Sequence, residues 1–352
     1  MQALLKMKGG VGNIEVGTVE EPTCQDHEVK IEIAYTGICG TDLHIYHDTF
    51  KSYPPVILGH ECSGVVIEAG KDVKKIKVGD RVTVLGSTER TCGKCIHCKT
   101  GYYMFCETRR GMGHGVDGSF TKYLSIKEDA VYKLPQHVSL QEGALAEPLA
   151  CAVQAIEELT DIKSGDVVLL SGPGPIGLIC MSLLAIKGCK VLVSGTDVDL
   201  QRLEIAKELG ASRIINVQQE NLANIVAEET KNQGVDITID CTGVPMAISS
   251  CLEQVKKRGQ HIQVGIVGKA FNLDFDLILY KQLQVYGSLA HSMTTWEKVM
   301  KIFDQNKINL KPIITHVMNL NDWQKAFQLC EEKQCGKVLI QYDEFTKLED
   351  KL

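Results

Sequence analysis

Alternation of apolar and polar positions dominates the first part of the chain. Val29-Lys30-Ile31-Glu32-Ile33 has the period of two that a half-buried strand requires. Ser63–Ala69 and Asp80–Leu85 are further strand candidates, set apart by turn segments such as Gly70-Lys71-Asp72. Residues 1–148 are therefore expected to form an antiparallel β domain. From Leu149 the rhythm changes. Asp166-Val167-Val168-Leu169-Leu170 is nearly continuous in apolar side chains, as suits a parallel strand covered on both faces. A helix over Pro175–Lys187, a strand at Val191-Leu192-Val193 and a helix over Asp199–Leu209 follow. Strands at Ile214–Val217, Val235–Cys241, Gln260–Gly265 and Leu283–Tyr286 continue the series. This alternation predicts an α/β fold with a doubly wound parallel sheet over residues 149–290. Residues 291–352 leave the pattern with helices at Thr295–Gln305 and Asp322–Glu332, an apolar Pro312-Ile313-Ile314 and a strand near Lys337–Gln341. They are expected to return to the first domain, with the charged Asp343–Leu352 frayed at the end.

Composition narrows the function classes. A length of 352 residues suits two domains. The formal charge of −6 argues against a nucleic-acid partner, which needs concentrated Lys and Arg. Met1–Gly12 contains no long apolar run, and no stretch approaches the ~20 apolar residues of a membrane helix, so the chain reads as cytoplasmic with no membrane partner. Fourteen cysteines in a large chain without a leader point to metal rather than disulfides, because four of them fall between Cys92 and Cys106. The scattered remainder read mostly as reduced packing residues.

Gly172-Pro173-Gly174-Pro175-Ile176-Gly177 is a G-x-G-x-x-G between an apolar strand and a helix, the setting that makes this motif specific for a dinucleotide. The glycines permit the turn, close approach of a pyrophosphate, and tight helix–strand packing, while the helix N-terminus offers unpaired N–H groups. Asp197 lies 25 residues after Gly172, where a carboxylate accepts ribose hydroxyls and repels a 2′-phosphate. NAD is the expected cofactor. Asp199 competes for this role, and Arg202 leaves NADP open.

Cys92-x₂-Cys95-x₂-Cys98-x₇-Cys106 supplies four soft ligands in one loop, a closed set that predicts a structural tetrahedral zinc. Binding of this kind contributes on the order of 10–16 kcal/mol in zinc-finger peptides, so the shape of the lobe should depend on it. His97 is surplus to the set. An iron–sulfur cluster and a nucleic-acid-binding zinc ribbon are the competing readings. The acidic charge and the adjoining dinucleotide fold disfavour the ribbon.

Gly37-Ile38-Cys39-Gly40-Thr41-Asp42-Leu43-His44 and Gly59-His60-Glu61 complete the motifs. With them, nearly the whole chain resembles the zinc-containing medium-chain dehydrogenase/reductase superfamily. It is most similar to its sorbitol (L-iditol) and threonine dehydrogenase branches, which include bacterial polyol-phosphate dehydrogenases such as D-arabitol-phosphate dehydrogenase. The resemblance implies a GroES-like catalytic domain interrupted by a Rossmann domain. It makes Cys39, His60 and either Glu61 or Glu147, in Ala146-Glu147-Pro148-Leu149, the ligands of a catalytic zinc with one open position. The carboxylate also admits manganese or iron. Asp42 is expected to accept a hydrogen bond from the outer nitrogen of His60.

Metal is needed because an alcohol loses its proton at a pKa of about 16 and an imidazole sits near ~6.5, a gap worth roughly 12 kcal/mol. Zinc brings a bound oxygen to about 7. Thr41 is then placed to pass the proton, through water or ribose hydroxyls, toward His44, while hydride goes to the nicotinamide.

The expected reaction oxidises a secondary alcohol of a polyol, sugar alcohol or polyol phosphate to a ketose or its phosphate. L-threonine or 2,3-butanediol is the alternative, and a non-catalytic nucleotide-binding role the other class. Polyol-type relatives carry an Arg and a Tyr where this chain has Ser288–Trp296 without either, which draws attention to His291, Arg109 and Arg110 as partners for a phosphate. Tyr46 is a candidate pocket residue. A homo-oligomer, a tetramer by the same resemblance, is expected.

Overall fold

The computed structural model describes residues 1–88 and 90–342; the Asp343–Leu352 segment, expected to fray, lies outside the described residues. The first half supplies β1 (Gln2–Lys6), β2 (Ile14–Thr18), β3 (Glu28–Gly37), β4 (Val56–Ile57), β5 (Glu61–Ala69), β6 (Arg81–Val84), β7 (Tyr123–Lys127) and β8 (Val131–Lys133). The central part supplies β9 (Val167–Ser171), β10 (Lys190–Gly195), β11 (Arg213–Asn216), β12 (Val235–Asp240), β13 (Val255–Gln263) and β14 (Gln284–Gly287). Two more strands, β15 (Ile314–Asn319) and β16 (Lys337–Gln341), close the described chain.

These strands form a small sheet in the order β2-β1-β4, a six-stranded parallel sheet in the order β11-β10-β9-β12-β13-β14, and a seven-stranded sheet β15-β16-β3-β5-β6-β8 with β7 also on β3. The chain thus builds most of one sheet, makes the whole parallel sheet, and returns to finish the first. Two continuous apolar runs explain the parallel centre: Val168, Leu169 and Leu170 of β9 and Val191, Leu192 and Val193 of β10 are all fully buried between helix layers. In the other sheet β3 pairs with β5 antiparallel and with β16 antiparallel. That register sets Gly37 opposite Glu61 on one side and Leu339 on the other, which brings the ends of three distant segments to one spot.

Strand β13 begins five residues before its expected start. The helix Pro245–Gln254 runs directly into it, and Arg258 takes a left-handed φ of 61° where the pairing with β12 shifts register. No helix among the described residues is long and apolar enough to cross a membrane.

Candidate active site

Glycine geometry places the first cluster. Gly59 has a φ of 89°, and a side chain there would meet the Phe120 backbone nitrogen at 2.9 Å, so only glycine turns the chain into His60-Glu61. Across the β3–β5 pair, a Cβ on Gly37 would stand 2.2 Å from Glu61 Oε2, so the absent side chain is the space that the Glu61 carboxylate occupies. Cys39 follows β3 as the N-cap of the helix Gly40–Tyr46. One ligand atom each from Cys39, His60 and Glu61 lies within 4.8 Å of the others.

Buried groups surround this cluster. Lys337 Nζ, on β16, donates to both Glu61 oxygens at 2.9 and 2.7 Å and to the Ile38 carbonyl at 3.0 Å. Burial alone would lower the lysine's pKa, but the Glu61 charge and hydrogen bonds hold it above the ordinary lysine range. Asp42 behaves differently from the expectation. Its Oδ2 accepts from the Cys39 backbone N–H at 2.9 Å, and no hydrogen bond joins it to His60. Its Oδ1 is buried without a partner. The His60 imidazole lies beside the Cys39 sulfur; burial pulls its pKa down, and Cys39, Asp42 and Glu147 more than offset this.

Glu147 stands in a second trio with Cys151 and His291, again within 4.8 Å. Here hydrogen bonding decides against a metal. Trp296 Nε1–H donates to His291 Nδ1 at 3.0 Å, and indole nitrogen is only ever a donor. Nδ1 is therefore the acceptor, and Nε2 carries the proton that it donates to Glu147 Oε1 at 3.2 Å. Cys151 also donates to Oε1, at 3.9 Å; burial and nearby negative charge raise its pKa well above that of a free thiol. The trio is a carboxylate with two donors. Burial would raise the Glu147 pKa, but His291 holds it below the usual carboxylate range. His291 is fully buried with both ring nitrogens engaged, which corrects its expected reach to a phosphate.

Thr41 Oγ1 accepts from the Cys39 thiol at 3.7 Å, beside the cluster. His44 is exposed on the same helix, and its Nδ1 pairs with Thr49 Oγ1 at 3.1 Å rather than with Thr41. Tyr46 packs edge-on against Trp323 and Phe327, so it serves the core.

The four sulfurs of the cysteine lobe lie close enough together to hold a metal ion. Sulfur–sulfur separations of 3.5 Å for Cys95–Cys98 and 3.9 Å for Cys92–Cys98 bracket the edge of about 3.8 Å that a tetrahedron of ~2.3 Å Zn–S bonds requires. Backbone N–H groups of Cys92, Cys95 and Cys98 donate to the sulfurs of Cys106, Cys92 and Cys95 at 3.3–3.4 Å. All fourteen cysteines are free, and His97 is exposed outside the set.

The Gly-rich loop borders a cleft of about 440 Å³ lined by Gly172, Gly174, Gly195, Thr196, Thr242 and Val244 among others. It sits where the strand order reverses between β9 and β12, at their carboxyl ends. Gly172 needs its φ of 93°, and a Cβ on Gly177 would strike the Gly172 carbonyl at 2.0 Å. Gly174 faces open space and caps the helix Pro175–Ile186, whose first position is Pro175; the Ile176 and Gly177 N–H groups therefore lack carbonyl partners within the helix. Asp197 is exposed, with Oδ1 held by Asn216 Nδ2 at 2.6 Å and Gln219 Nε2 at 2.8 Å, which leaves Oδ2 unpaired. Asp199 is buried and caps Thr196, and the buried Arg202 is tied to Asp199 at 3.5 Å and to the Cys335 carbonyl at 2.5 Å. Both line the cleft, but their polar atoms are engaged.

Comparison with known proteins bears on this arrangement. The alcohol dehydrogenase GroES-like domain family matches residues 25–136, and the zinc-binding dehydrogenase family matches 175–305. A sorbitol dehydrogenase of Halalkalibacterium halodurans is 37% identical over 97% of this chain and 99% of its own length. The chain belongs to the zinc-binding alcohol dehydrogenase family. This dehydrogenase is also 36% identical to a D-arabitol-phosphate dehydrogenase of Enterococcus avium, over 97% of each chain. Among solved structures, a Sinorhizobium meliloti protein described as a zinc-binding dehydrogenase bound to NADP superposes with a TM-score of 0.88 at 28% identity, covering 97% of this chain and 98% of that one. The dehydrogenase is thus a zinc-dependent oxidoreductase of the NAD(P) type with a GroES-like domain and a Rossmann domain.

Sequence reasoning missed three of the dehydrogenase's buried partners. Lys337 opens an apolar strand, Lys337-Val338-Leu339-Ile340, and a lysine there was the one available signal of an interior ion pair. Trp296 and Tyr103, whose hydroxyl lies 2.9 Å from His291 Nδ1, left no local pattern.

Proposed function

We propose that this dehydrogenase oxidises a secondary alcohol of a polyol, sugar alcohol or polyol phosphate to the ketone, with NAD as the hydride acceptor. One observation carries the reading: a thiolate, an imidazole and a carboxylate converge at Cys39, His60 and Glu61, a donor set suited to an open zinc site. The orphaned Asp42 Oδ1 fits the same reading, since a metal-held imidazole calls for a buried acceptor of its outer N–H. Zinc there supplies the positive charge that acidifies the substrate hydroxyl.

The chain's own residues do the rest. Lys337 fixes the Glu61 carboxylate under Gly37, and His291 keeps Glu147 ionised nearby, available as an alternative ligand. Thr41, against Cys39, holds the departing proton, and the exposed His44 receives it through water. Asp197 Oδ2 accepts the ribose hydroxyls, and the N–H groups of Ile176 and Gly177 meet the pyrophosphate above Gly172 and Gly174. Cys92, Cys95, Cys98 and Cys106 hold a structural zinc.

The domain divisions proposed are residues 1–148 and 291–352 for the catalytic part and 149–290 for the cofactor part. The enzyme acts in the cytoplasm as a homo-oligomer, a tetramer. The edge strand β14 and the neighbouring helix Asp276–Lys281 expose Val285, Leu279 and Tyr280, which is the kind of surface that a second copy covers.

The test is a panel of free polyols, polyol phosphates, threonine and 2,3-butanediol with NAD, followed by NADH absorbance and metal analysis. Two zincs per chain and turnover of polyol-type substrates, lost when the catalytic metal is removed, are expected. Turnover with threonine alone overturns the polyol assignment, and undiminished turnover without that metal overturns the mechanism.

A further inference from the structure

Among the described residues the last helix, Trp323–Glu331, carries Cys330 in its final turn. Lys333 then takes a left-handed φ of 57°, and the backbone closes on the helix end. The Lys333 N–H donates to the Cys330 carbonyl at 3.2 Å, and the Gln334 N–H to the Leu329 carbonyl at 3.0 Å. This turn folds Cys335 back onto Cys330, and their sulfurs lie 3.8 Å apart. Neither belongs to a group of metal-ligating side chains among the described residues.

The two sulfurs differ in access. Residues 331–334 are exposed and Cys330 is half-buried, whereas Cys335 is 1% exposed. A reagent in solution therefore meets Cys330 first, with Cys335 behind it. The hydrogen bond from Cys330, with Arg202 and Lys337 nearby, brings the Cys335 thiol down to about 7 against its burial. An accessible sulfur backed by a more acidic second one suits thiol–disulfide exchange. In a reducing compartment such pairs act as sensors rather than as staples.

The same turn reaches the cofactor cleft. Lys333 and Arg202 both line the cleft that the Gly-rich loop borders. Arg202 Nε donates to the Cys335 carbonyl, and its guanidinium reaches Asp199, which caps Thr196 in that cleft. A disulfide holds its sulfurs about 2.05 Å apart, so closing one here brings these two together by roughly 1.8 Å. Cys330 is anchored in the helix, so the turn takes up most of that shift. It carries with it Lys333 and the carbonyl that Arg202 holds.

We propose that Cys330 and Cys335 form a thiol–disulfide exchange site that weakens cofactor binding when a low-molecular-weight disulfide oxidises it. The exchange runs in two steps. The Cys330 sulfur attacks one sulfur of the reagent, forming a mixed disulfide and releasing one thiol, which takes the Cys330 proton. The Cys335 sulfur then attacks Cys330, closing the bond between them and expelling the second thiol, which takes the remaining proton. The cysteines lose two electrons and two protons, and the reagent gains both. The effect on affinity rests on the cleft being the cofactor site, as read above; formation of the bond does not.

Full-length, zinc-loaded protein is equilibrated with oxidised and reduced glutathione over a range of ratios, alkylated and digested with trypsin. Cleavage after Lys333 puts the two cysteines on separate peptides, 326–333 and 334–337, which only the disulfide keeps joined. The joined peptides should appear as the ratio rises, at unchanged zinc content, and vanish with dithiothreitol. NADH should bind at least about fivefold more weakly to the oxidised form, the low end of ordinary coupling between sites. Linkage requires the converse: saturating NADH should raise the quotient of oxidised over squared reduced glutathione at half-oxidation by the same factor. A merely structural pair would leave that quotient unmoved. Cys330→Ser and Cys330→Ala should both give no joined peptides and bind NADH equally before and after glutathione treatment. Absence of joined peptides at every ratio, equal NADH affinity in the two forms, or a loss of affinity that persists in both variants overturns the proposal. If the joined peptides form but the reduced protein binds no NADH, the exchange site stands and the cofactor reading falls.

Discussion

His291 donates its Nε2 proton to Glu147 Oε1 at 3.2 Å because Trp296 occupies Nδ1 from the other side. The indole thus chooses the tautomer, and the tautomer gives the carboxylate a donor in a site where burial alone would protonate it. The π-turn Gln154–Glu158 fixes the arrangement: Gln154 Oε1 accepts from the Ser292 N–H at 3.0 Å and from Thr295 Oγ1 at 3.1 Å, which docks the segment carrying His291 onto the helix carrying Glu147.

Replacing His291 tests this link. His291→Phe keeps an aromatic ring but leaves Glu147 with only the weak Cys151 thiol as donor. Loss of such outer partners typically costs about 10–100-fold in metal affinity or activity. Zinc retained after dialysis against a graded chelator should fall to that extent at the catalytic site and not at the cysteine lobe. Equal loss from both sites would mean a general disruption instead.

Lys337 and Glu61 form an ion pair in which both side chains are almost fully buried. Lys337→Met strands a buried carboxylate and should cost about 3–5 kcal/mol in urea unfolding. Adding Glu61→Gln should recover much of that loss, since the uncompensated charge is then gone. A double variant no more stable than Lys337→Met would show that the charge is not the cause.

In the proposed cofactor site, Asp197 sets cofactor choice through Oδ2, which has no hydrogen-bond partner among the described residues. Asp197→Ser removes charged hydrogen bonds of about 1.5–3 kcal/mol, so NAD should bind roughly 10–100-fold more weakly. NADP should lose far less, because the repulsion of its 2′-phosphate disappears as well. Fluorescence titration with the two reduced cofactors measures the ratio.

His114 should make stability depend on pH. Its folded pKa of about 4 lies below the ordinary 6.5, so between these values the unfolded chain binds more protons. Stability is then complete above pH 6.5 and is lost as pH falls toward 4. The loss should be about 1–2 kcal/mol, because the ring is partly solvent-facing. Unfolding midpoints across this window should fall more steeply for the wild type than for His114→Gln.

Local spacing carried most of what was legible in the sequence. The four cysteines of the lobe, the Gly172–Gly177 loop and Gly59-His60-Glu61 each keep their chemistry within a few residues, and the strands on either side showed their burial through period two or through unbroken apolar runs. The partners that set charge state and orientation did not show, because they come from far along the chain. Lys337 is 276 residues from Glu61, and His291 is 144 from Glu147. Asp42 was legible as a polar group beside His60, yet its backbone cap on Cys39 is a matter of helix geometry that spacing left open. Arg202 and Asp199 looked available for a cofactor until their burial showed them bound to each other.

The position of β16 between β15 and β3 has a consequence for biosynthesis. A nascent chain that has not yet emerged from the ribosome past residue 337 holds Glu61 beside a vacant sheet edge, with no ammonium to answer it. The parallel sheet, whose strands all lie between residues 167 and 287, can form on schedule during translation. The sheet that holds Glu61 must wait for β16, so the parallel sheet can be complete before the buried Glu61–Lys337 pair exists.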